Sequence, residues 1–534
     1  MRGPRLTGAL LAVILIAGAL VRLLYLREII HEPTFAHPEV DALFHDYWSR
    51  GWVTGDWTPP PDCEDPEIRS NPYLRPPGYP LFLAAIRYAF GMGYQAPRVC
   101  QALLGLCSIG LGFVLMRRRF GPGPALLYAA LLAAFWPLVY FEGEFLEPAI
   151  LIFLRQLLLL LLDRWSDGLT LGRSIAAGVV LGVMIVVRPT FGLLGLAVPV
   201  WALAFRRGRG RFPATASIAV FVAAALIVML PVTVRNYVVG GAFVPVSDNG
   251  SLNLFLGNNE QADGQVPAAL SGLGPFRTCF DYPGVVRALE RSAGHHLDPG
   301  EIAAAFRHRA VAFIRRQPGR FVALTIHRAL LFWGPFEVGH NRQDELVREH
   351  SRTLRLLPVN FPVVAASSVL GLLAFFASRS GPGVGGTASE QRRAQGALLA
   401  LAMVFVGAVF VAHLPFFVAG RYRVPVVPAL LIPGAYGLWH VGSARWSSGF
   451  RTGTLWVSTG AVLLFLFTRN PAGYAPDRDK WLFERARAFA AGGDAAAARR
   501  LYEQIIQNDP RNVSVLVNFG MIMMNAGDLL GAEE

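Results

Sequence analysis

Residues 6–26 read LTGALLAVILIAGALVRLLYL, and residues 212–234 read FPATASIAVFVAAALIVMLPVTV. Each has the length needed to cross a bilayer core, for which about 17–25 apolar residues suffice. Working outward from these two, eleven such stretches emerge: 6–26, 98–116, 123–141, 148–162, 173–187, 190–205, 212–234, 357–378, 396–417, 424–440 and 452–467. The expected fold is therefore all-α, a polytopic membrane protein with about eleven transmembrane helices. Composition agrees: 53% of the 534 residues are hydrophobic, mean hydropathy is +0.42, and only 16% are charged. Soluble domains carry roughly 25% charged residues. The net charge of +13 does not point to nucleic acid, because these charges punctuate apolar runs rather than gather on one face. Lys480 is the one lysine, a bias that suits a GC-rich genome.

Arginine placement predicts sidedness, since cytoplasmic loops retain positive charge. Arg117–Arg119, the Arg206–Arg211 cluster, Arg379 and Arg392-Arg393 fall on one side of the count, as do Arg2 and Arg5. The N-terminus is then cytoplasmic in a bacterial inner membrane, and the first stretch is an uncleaved signal anchor. The outer, periplasmic face receives the long segments 27–97 and 235–356 and the C-terminus. Within those segments, 78–90 and 321–333 are too short to span and read as interfacial or re-entrant helices. A membrane domain over 1–470 is followed at 479–534 by a soluble helical segment. There, Leu516 and Gly520 stand 34 residues after Leu482 and Ala486, a period that looks like tetratricopeptide repeats with the second incomplete. Such repeats imply a protein partner. Cys100 and Cys107 read as packing residues, while Cys63 and Cys279, one in each outer segment, are candidates for a disulfide.

The polar residues of the outer segments are the candidates for chemistry. In His37-Pro-Glu-Val-Asp41-Ala-Leu-Phe-His45-Asp46, Pro38 suits a first helical turn. His37, Asp41 and His45 would then share one face, a metal-like spacing that lacks further ligands. A solvated helix face is the bland account of Asp41. Arg75, in Leu74-Arg-Pro-Pro-Gly-Tyr-Pro80, stands at headgroup height and reads equally as a lipid-phosphate ligand or as a snorkelling anchor. Glu142, Glu144 and Glu147 precede a helix; capping accounts for one of them. Asn249, Asn258 and their Ser, Gly and Asn neighbours suit sugar hydroxyls, though turns select the same residues. Arg421 and Arg423, flanking Tyr422, could clamp a phosphate.

Taken in order, Asp41-Ala-x-x-His-x-x-Trp48, Arg75-Pro-Pro-Gly-Tyr79-Pro80, Glu144-x-x-Glu147-Pro148, Arg235-Asn-Tyr, Gly257-Asn-Asn and Arg421-Tyr-Arg-Val-Pro425 resemble the GT-C glycosyltransferases that use polyprenyl-phosphate sugars. The similar families are the protein O-mannosyltransferases and the lipid A aminoarabinose transferases. The resemblance runs from about Leu6 to Phe467. It implies a hexosyl- or pentosyltransferase with Asp41 as catalytic base and Arg75, Arg421 and Arg423 on the donor phosphate. Tyr79, Glu144, Glu147, Asn249 and Asn258 would then contact sugar or acceptor. Two departures bear on the acceptor: arginine stands at 75 where the aminoarabinose enzymes carry lysine, and Ala42 follows Asp41 where mannosyltransferases often have a second acid. The implied partners are a polyprenyl-phosphate sugar, the bilayer and an unnamed protein, lipid or glycan acceptor. With arginines carrying the phosphate, neither a metal nor another cofactor is required. Rival readings are an envelope polymerase or ligase using diphosphate-linked glycans, a lipid-linked sugar transporter, and an interaction protein. A transporter would place charges mid-membrane in broken, repeated helices, whereas here the acids cluster at one mouth.

Overall fold

The computed structural model describes residues 4–60, 73–168, 170–205, 213–265, 269–270, 273–275, 282–378, 387–447 and 450–525. Every one of the eleven apolar stretches falls on helix. Among the described residues, five helices are long and apolar enough to cross a membrane: Arg5–Ile29, Gln95–Phe120, Ala214–Gly240, Ser389–His413 and Gly420–Ser443. Shorter apolar helices at Pro122–Ala133, Leu171–Val187, Pro189–Phe205, Phe361–Ala377 and Gly453–Thr468 accompany them. Pro148–Ser166 completes the set and carries Arg155, Asp163 and Arg164. The outer helices turn Val13, Ile16, Leu20, Leu226, Ile227 and Leu230 outward, an apolar surface that suits lipid and not water. The chain is a polytopic, all-helical membrane protein; its described β-structure is one ribbon pairing Ala269–Leu270 with Gly274–Pro275.

Apolar periodicity did not reveal where helices break. The stretch 123–141 is two helices, Pro122–Ala133 and Trp136–Glu142. Between them the Trp136 amide donates to the Val359 carbonyl (3.3 Å), so a tertiary hydrogen bond replaces the helical one. The stretch from 190 opens with a 3-10 turn at Pro189–Leu193, where proline lacks the N–H that would continue the preceding helix.

Helices approach closely where side chains are small, as lipid-embedded helices do. A Cβ on Gly182 would lie 2.7 Å from the Ala225 carbonyl oxygen, and one on Gly437 2.5 Å from the Gly371 backbone. Gly371 in turn faces the Pro433 carbonyl. Around these contacts runs one continuous core containing Phe113, Tyr128, Trp136, Phe141, Trp165, Met184, Phe405 and Val426.

Charge collects at two ends of the bundle. The Gln95–Phe120 helix has 26 residues, about 39 Å at 1.5 Å per residue. At its C-terminal end Arg119 pairs with Asp163 (2.6 Å) and Asp167 (2.7 Å), and Arg118 with the same two acids. At its N-terminal end Arg98 Nε donates to the Gly143 carbonyl (2.6 Å), and Gln101 to those of Glu142 and Glu144. The residues assigned to the outer segments meet at this second end.

The two short segments are helices at Gly78–Phe90 and Pro318–Trp333, the latter three residues longer than expected. Leu81, Tyr88 and Phe90 of the first, and Val322, Ile326 and Leu330 of the second, are exposed. The C-terminal segment forms Arg478–Ala491, Ala495–Asn508 and Val513–Asn525. Ala486, Ala498, Tyr502 and Ile505 make its core. Cys63 and Cys279 lie outside the described residues; Cys100 and Cys107 are free thiols.

Replacing Gly371 with alanine should drive a methyl into the Pro433 backbone and destabilise the bundle by about 1–3 kcal/mol, the usual effect of overpacking. Gly110, in mid-helix with no atom within 4 Å of an added Cβ, is the control. Thermal unfolding in detergent should show Gly371→Ala melting lower and Gly110→Ala unchanged or higher.

Candidate active site

Asp41 is the first residue of the Asp41–Thr54 helix, a position where the helix dipole favours a carboxylate. The helix starts later than Pro38 suggested, which corrects the expected shared face: His37 precedes the helix and does not stand in line with Asp41 and His45. No cluster of three or more His, Cys, Asp or Glu groups suited to a metal occurs among the described residues. Before Asp41 the chain turns through Val40, a non-glycine residue at φ 51°. A β-branched residue there stores on the order of 1–3 kcal/mol, strain that persists only where surrounding structure enforces it.

Two guanidiniums hold the Asp41 carboxylate. Arg75 Nη1 donates to Oδ1 at 2.5 Å, and Arg421 Nη1 lies 2.6 Å from Oδ2. Asp41 is 4% exposed. Burial alone would raise its pKa, but Arg421 and Arg75 outweigh burial and hold the carboxyl well below its usual range. His340 Nδ1 sits 3.9 Å from Oδ2, beyond hydrogen-bond reach. Burial, followed by the Arg421 charge, lowers His340 to about 3, so its imidazole is neutral and adds no charge near pH 7. His45 is likewise lowered by burial to about 4; its Nδ1 meets the Phe145 carbonyl at 2.9 Å.

Each arginine has its own local support. Arg75 stacks over Phe44, 5.0 Å from the ring centre. Its loop closes against the bundle through Gly78, where a Cβ would come within 2.6 Å of the Val187 amide nitrogen. Arg421 opens the short Gly420–Arg423 helix; the Gly420 amide donates to the Val338 carbonyl (2.8 Å). Arg421 also donates to the Tyr422 hydroxyl (2.9 Å). Arg188 lies over the Tyr422 ring at 4.3 Å, and His413 stacks on it at 4.8 Å. Asp41, Arg75, Arg188, Arg421 and Tyr422 thus form one group built from four distant parts of the chain, with Asp41 and Arg421 buried and the other three half-buried.

With that geometry in view, the comparisons with known proteins are informative. A family model described as dolichyl-phosphate-mannose-protein mannosyltransferase matches residues 74–234. That segment holds Arg75, Tyr79, the three glutamates and Arg188. The chain is similar to the GT-C glycosyltransferases. Among solved structures, the Archaeoglobus fulgidus oligosaccharyltransferase in its apo form aligns with 13% identity and TM-score 0.43, over 89% of this chain and 57% of its own. The same organism's AglB, solved with an inhibitory peptide and a dolichol-phosphate, gives 12% identity and TM-score 0.44, over 92% and 59%. ArnT from Cupriavidus metallidurans, bound to undecaprenyl phosphate, gives 15% identity and TM-score 0.34, over 81% and 79%. The chain thus spans a little under three fifths of the length of the archaeal enzymes. No curated protein sequence matches.

The other expected site residues separate into those near Asp41 and those engaged elsewhere. Tyr79 is buried, its hydroxyl donating to Gln101 Oε1 (2.9 Å) and its ring edge-on to His45 (4.8 Å). Glu144 pairs with Arg342 at 2.6 Å, and Glu147 with Arg188. Asn258 is fully buried; its amide nitrogen donates to the Leu254 and Pro415 carbonyls, both at 2.7 Å. That bonding ties the end of the Asn249–Gly257 helix to the Pro415 loop. Asn249 accepts from the Ser247 hydroxyl (3.4 Å) at the start of its own helix. Arg423 also departs from expectation. Its guanidinium meets the Phe332 carbonyl (3.1 Å), the Gly334 carbonyl (2.7 Å), the Phe336 carbonyl (2.5 Å) and both Glu337 oxygens (3.2 and 2.9 Å). Five contacts use all five guanidinium N–H groups, leaving none for a phosphate. Arg188 and His340 were missed. Arg188, at the end of an apolar stretch and next to Pro189, carried the same sequence signal as Arg421.

Arg423→Ala should therefore act on stability, leaving Glu337 buried and unpaired at a penalty of about 3–5 kcal/mol. Arg421→Ala should leave the Asp41 carboxylate with Arg75 alone and also lower stability. Melting curves in detergent for the two variants check both outcomes.

Proposed function

We propose that this chain transfers a sugar from a polyprenyl-phosphate carrier to an acceptor hydroxyl or amine at the outer membrane face, inverting the anomeric centre. The observation that carries the reading is the buried Asp41 carboxylate held between Arg75 at 2.5 Å and Arg421 at 2.6 Å. Two convergent guanidiniums suit a phosphate at least as well as a carboxylate. The family match over residues 74–234 supports the same chemistry.

In this reading Asp41 occupies the phosphate position until the donor arrives. The donor is a phosphodiester with one negative charge, and it takes over the guanidiniums. Asp41, released from both, becomes more basic and accepts the acceptor proton. The acceptor oxygen or nitrogen bonds to the anomeric carbon as the carbon–oxygen bond to phosphate breaks, and polyprenyl phosphate leaves. Its charge grows from about −1 toward −2 as it does so. Two arginines match the leaving phosphate better than the intact donor, which is how binding energy lowers a barrier. Arg188 over Tyr422 adds positive potential nearby. The activated donor supplies the driving force, and no metal or other cofactor is needed. A protein partner on the outer face of the C-terminal helices, with tetratricopeptide-like packing, belongs to the same proposal.

The test is transfer from labelled undecaprenyl-phosphate sugars by purified protein. Asp41→Asn should lose at least ~100-fold in rate yet bind undecaprenyl phosphate more tightly than the wild type, because the internal competitor is gone. Arg75→Ala and Arg421→Ala should lose both rate and affinity. Full activity in folded Asp41→Asn would remove Asp41 as base. Transfer should persist in EDTA. Sidedness is read separately: a cysteine at Gln507 should react with an impermeant maleimide from outside intact inner-membrane spheroplasts.

A further inference from the structure

The C-terminal helices do not stand apart from the catalytic loops. Lys480 Nζ donates to the His340 carbonyl (2.7 Å), Arg485 pairs with Glu32 (2.6 Å), and Arg487 with Glu39 (3.4 Å). Trp481 stacks on His350 at 4.3 Å. This contact leaves a narrow recess beside Asp41, bounded by Glu39, Ala42, Glu144, Asn341, Arg342 and Glu484.

On the walls of that recess Glu144 pairs with Arg342 and Glu39 with Arg487, while Arg98 donates to the Phe35, Tyr94 and Gly143 carbonyls. Three polar groups on it have no hydrogen-bond partner among the described residues: both Glu484 carboxyl oxygens, Asn341 Nδ2 and Arg342 Nε. Glu484 is 6% exposed and Asn341 5% exposed, and a buried polar group left unpaired costs about 1–3 kcal/mol. Burial pushes the Glu484 carboxyl up to about 8, against the lowering charges of Lys480 and Arg342 and with the raising charges of Glu39 and Glu144. Near pH 7 it is therefore mostly a neutral acid that can both donate and accept. Asn341 is itself held by its neighbour, since His340 Nδ1–H donates to Asn341 Oδ1 (2.5 Å).

A neutral acid, an amide N–H and a guanidinium N–H, beside wall charges already engaged by acids or carbonyls, match hydroxyls, which donate and accept at once. The geometry points to a subsite for a hydroxyl-rich sugar group of the acceptor, with Glu484 supplied by the C-terminal segment. This rests on the transferase reading above. Its walls come from the segment around Glu39 and Ala42, the Glu144–Leu146 turn, the Asn341-Arg342 loop and Glu484 of the C-terminal helices, with Arg98 at the end of the Gln95–Phe120 helix.

Saturation-transfer NMR on the full chain in nanodiscs, with methyl α-mannoside and methyl β-glucoside as probes and putrescine as a cationic probe, tests the assignment. At least one glycoside should bind the wild type. Glu484→Gln should stay within about twofold, and Glu484→Ala should weaken binding about tenfold, the effect of one lost hydrogen bond. If Glu484→Ala folds poorly, Glu484→Leu keeps the volume apolar and should fold while losing the glycoside. Binding should fall above pH 8 in the wild type, as Glu484 ionises, and not in Glu484→Gln. Glycoside binding absent from the wild type, or unchanged in Glu484→Leu, overturns the proposal. So does putrescine binding that Glu484→Gln abolishes, which would make the recess a cation site. Asp41→Asn should keep glycoside binding, so loss of transfer there bears on the base and not on this subsite.

Discussion

The arrangement around Asp41 depends on burying one carboxylate among positive charges. Taking a carboxylate out of water costs several kcal/mol even after relaxation. A unit-charge pair at 4 Å returns about 4 kcal/mol at the effective dielectric suited to such sites. One arginine alone would roughly break even. Two, at 2.5 and 2.6 Å, tip the balance toward the ionised, buried form. Hence the site needs two separate elements to converge: the Arg75 loop, seated through Gly78 on the end of the Leu171–Val187 helix, and the Arg421 turn, seated through Gly420 on Val338. Disturbing either leaves a buried acid with half its compensation.

Other charges at this end of the bundle support the same convergence. Asp46, on the same helix as Asp41, binds Arg87 and Arg50 and fastens that helix to the Gly78–Phe90 helix. Arg22, inside the first apolar stretch, reaches Glu142 at 2.8 Å. Gly105 makes room for that glutamate. Of the three glutamates in the 142–147 turn, each has a different arginine: Arg22, Arg342 and Arg188. Three acids in six residues exceeded capping because they anchor three separate segments.

Hydropathy is a local property, and it located all eleven apolar stretches because each satisfies its own backbone hydrogen bonds. The gathering of Asp41, Arg75 and Arg421 was legible for a related reason: sidedness follows from counting crossings, and crossings sort residues to one end. The break at Ala134-Phe135 was not legible, because its cause is a carbonyl at Val359. Arg421 and Arg423 look equivalent in sequence, yet helical positions two apart point about 200° apart, so one faces Asp41 and the other faces Glu337. His340 and Glu484 were illegible because their neighbours come from segments far away in the chain.

The contact between the C-terminal helices and the His340 loop also has a temporal side. Synthesis delivers Asp41 and Arg75 first, Arg421 much later, and Lys480 and Glu484 near the end of the described chain. Segments fold as they emerge, but a carboxylate cannot settle into a dry site before its partners exist. The segment around Asp41 must therefore stay hydrated while most of the membrane helices are laid down, and closure waits for Arg421. A chain arrested before that point would hold Asp41 against a single guanidinium, with its other oxygen still in water.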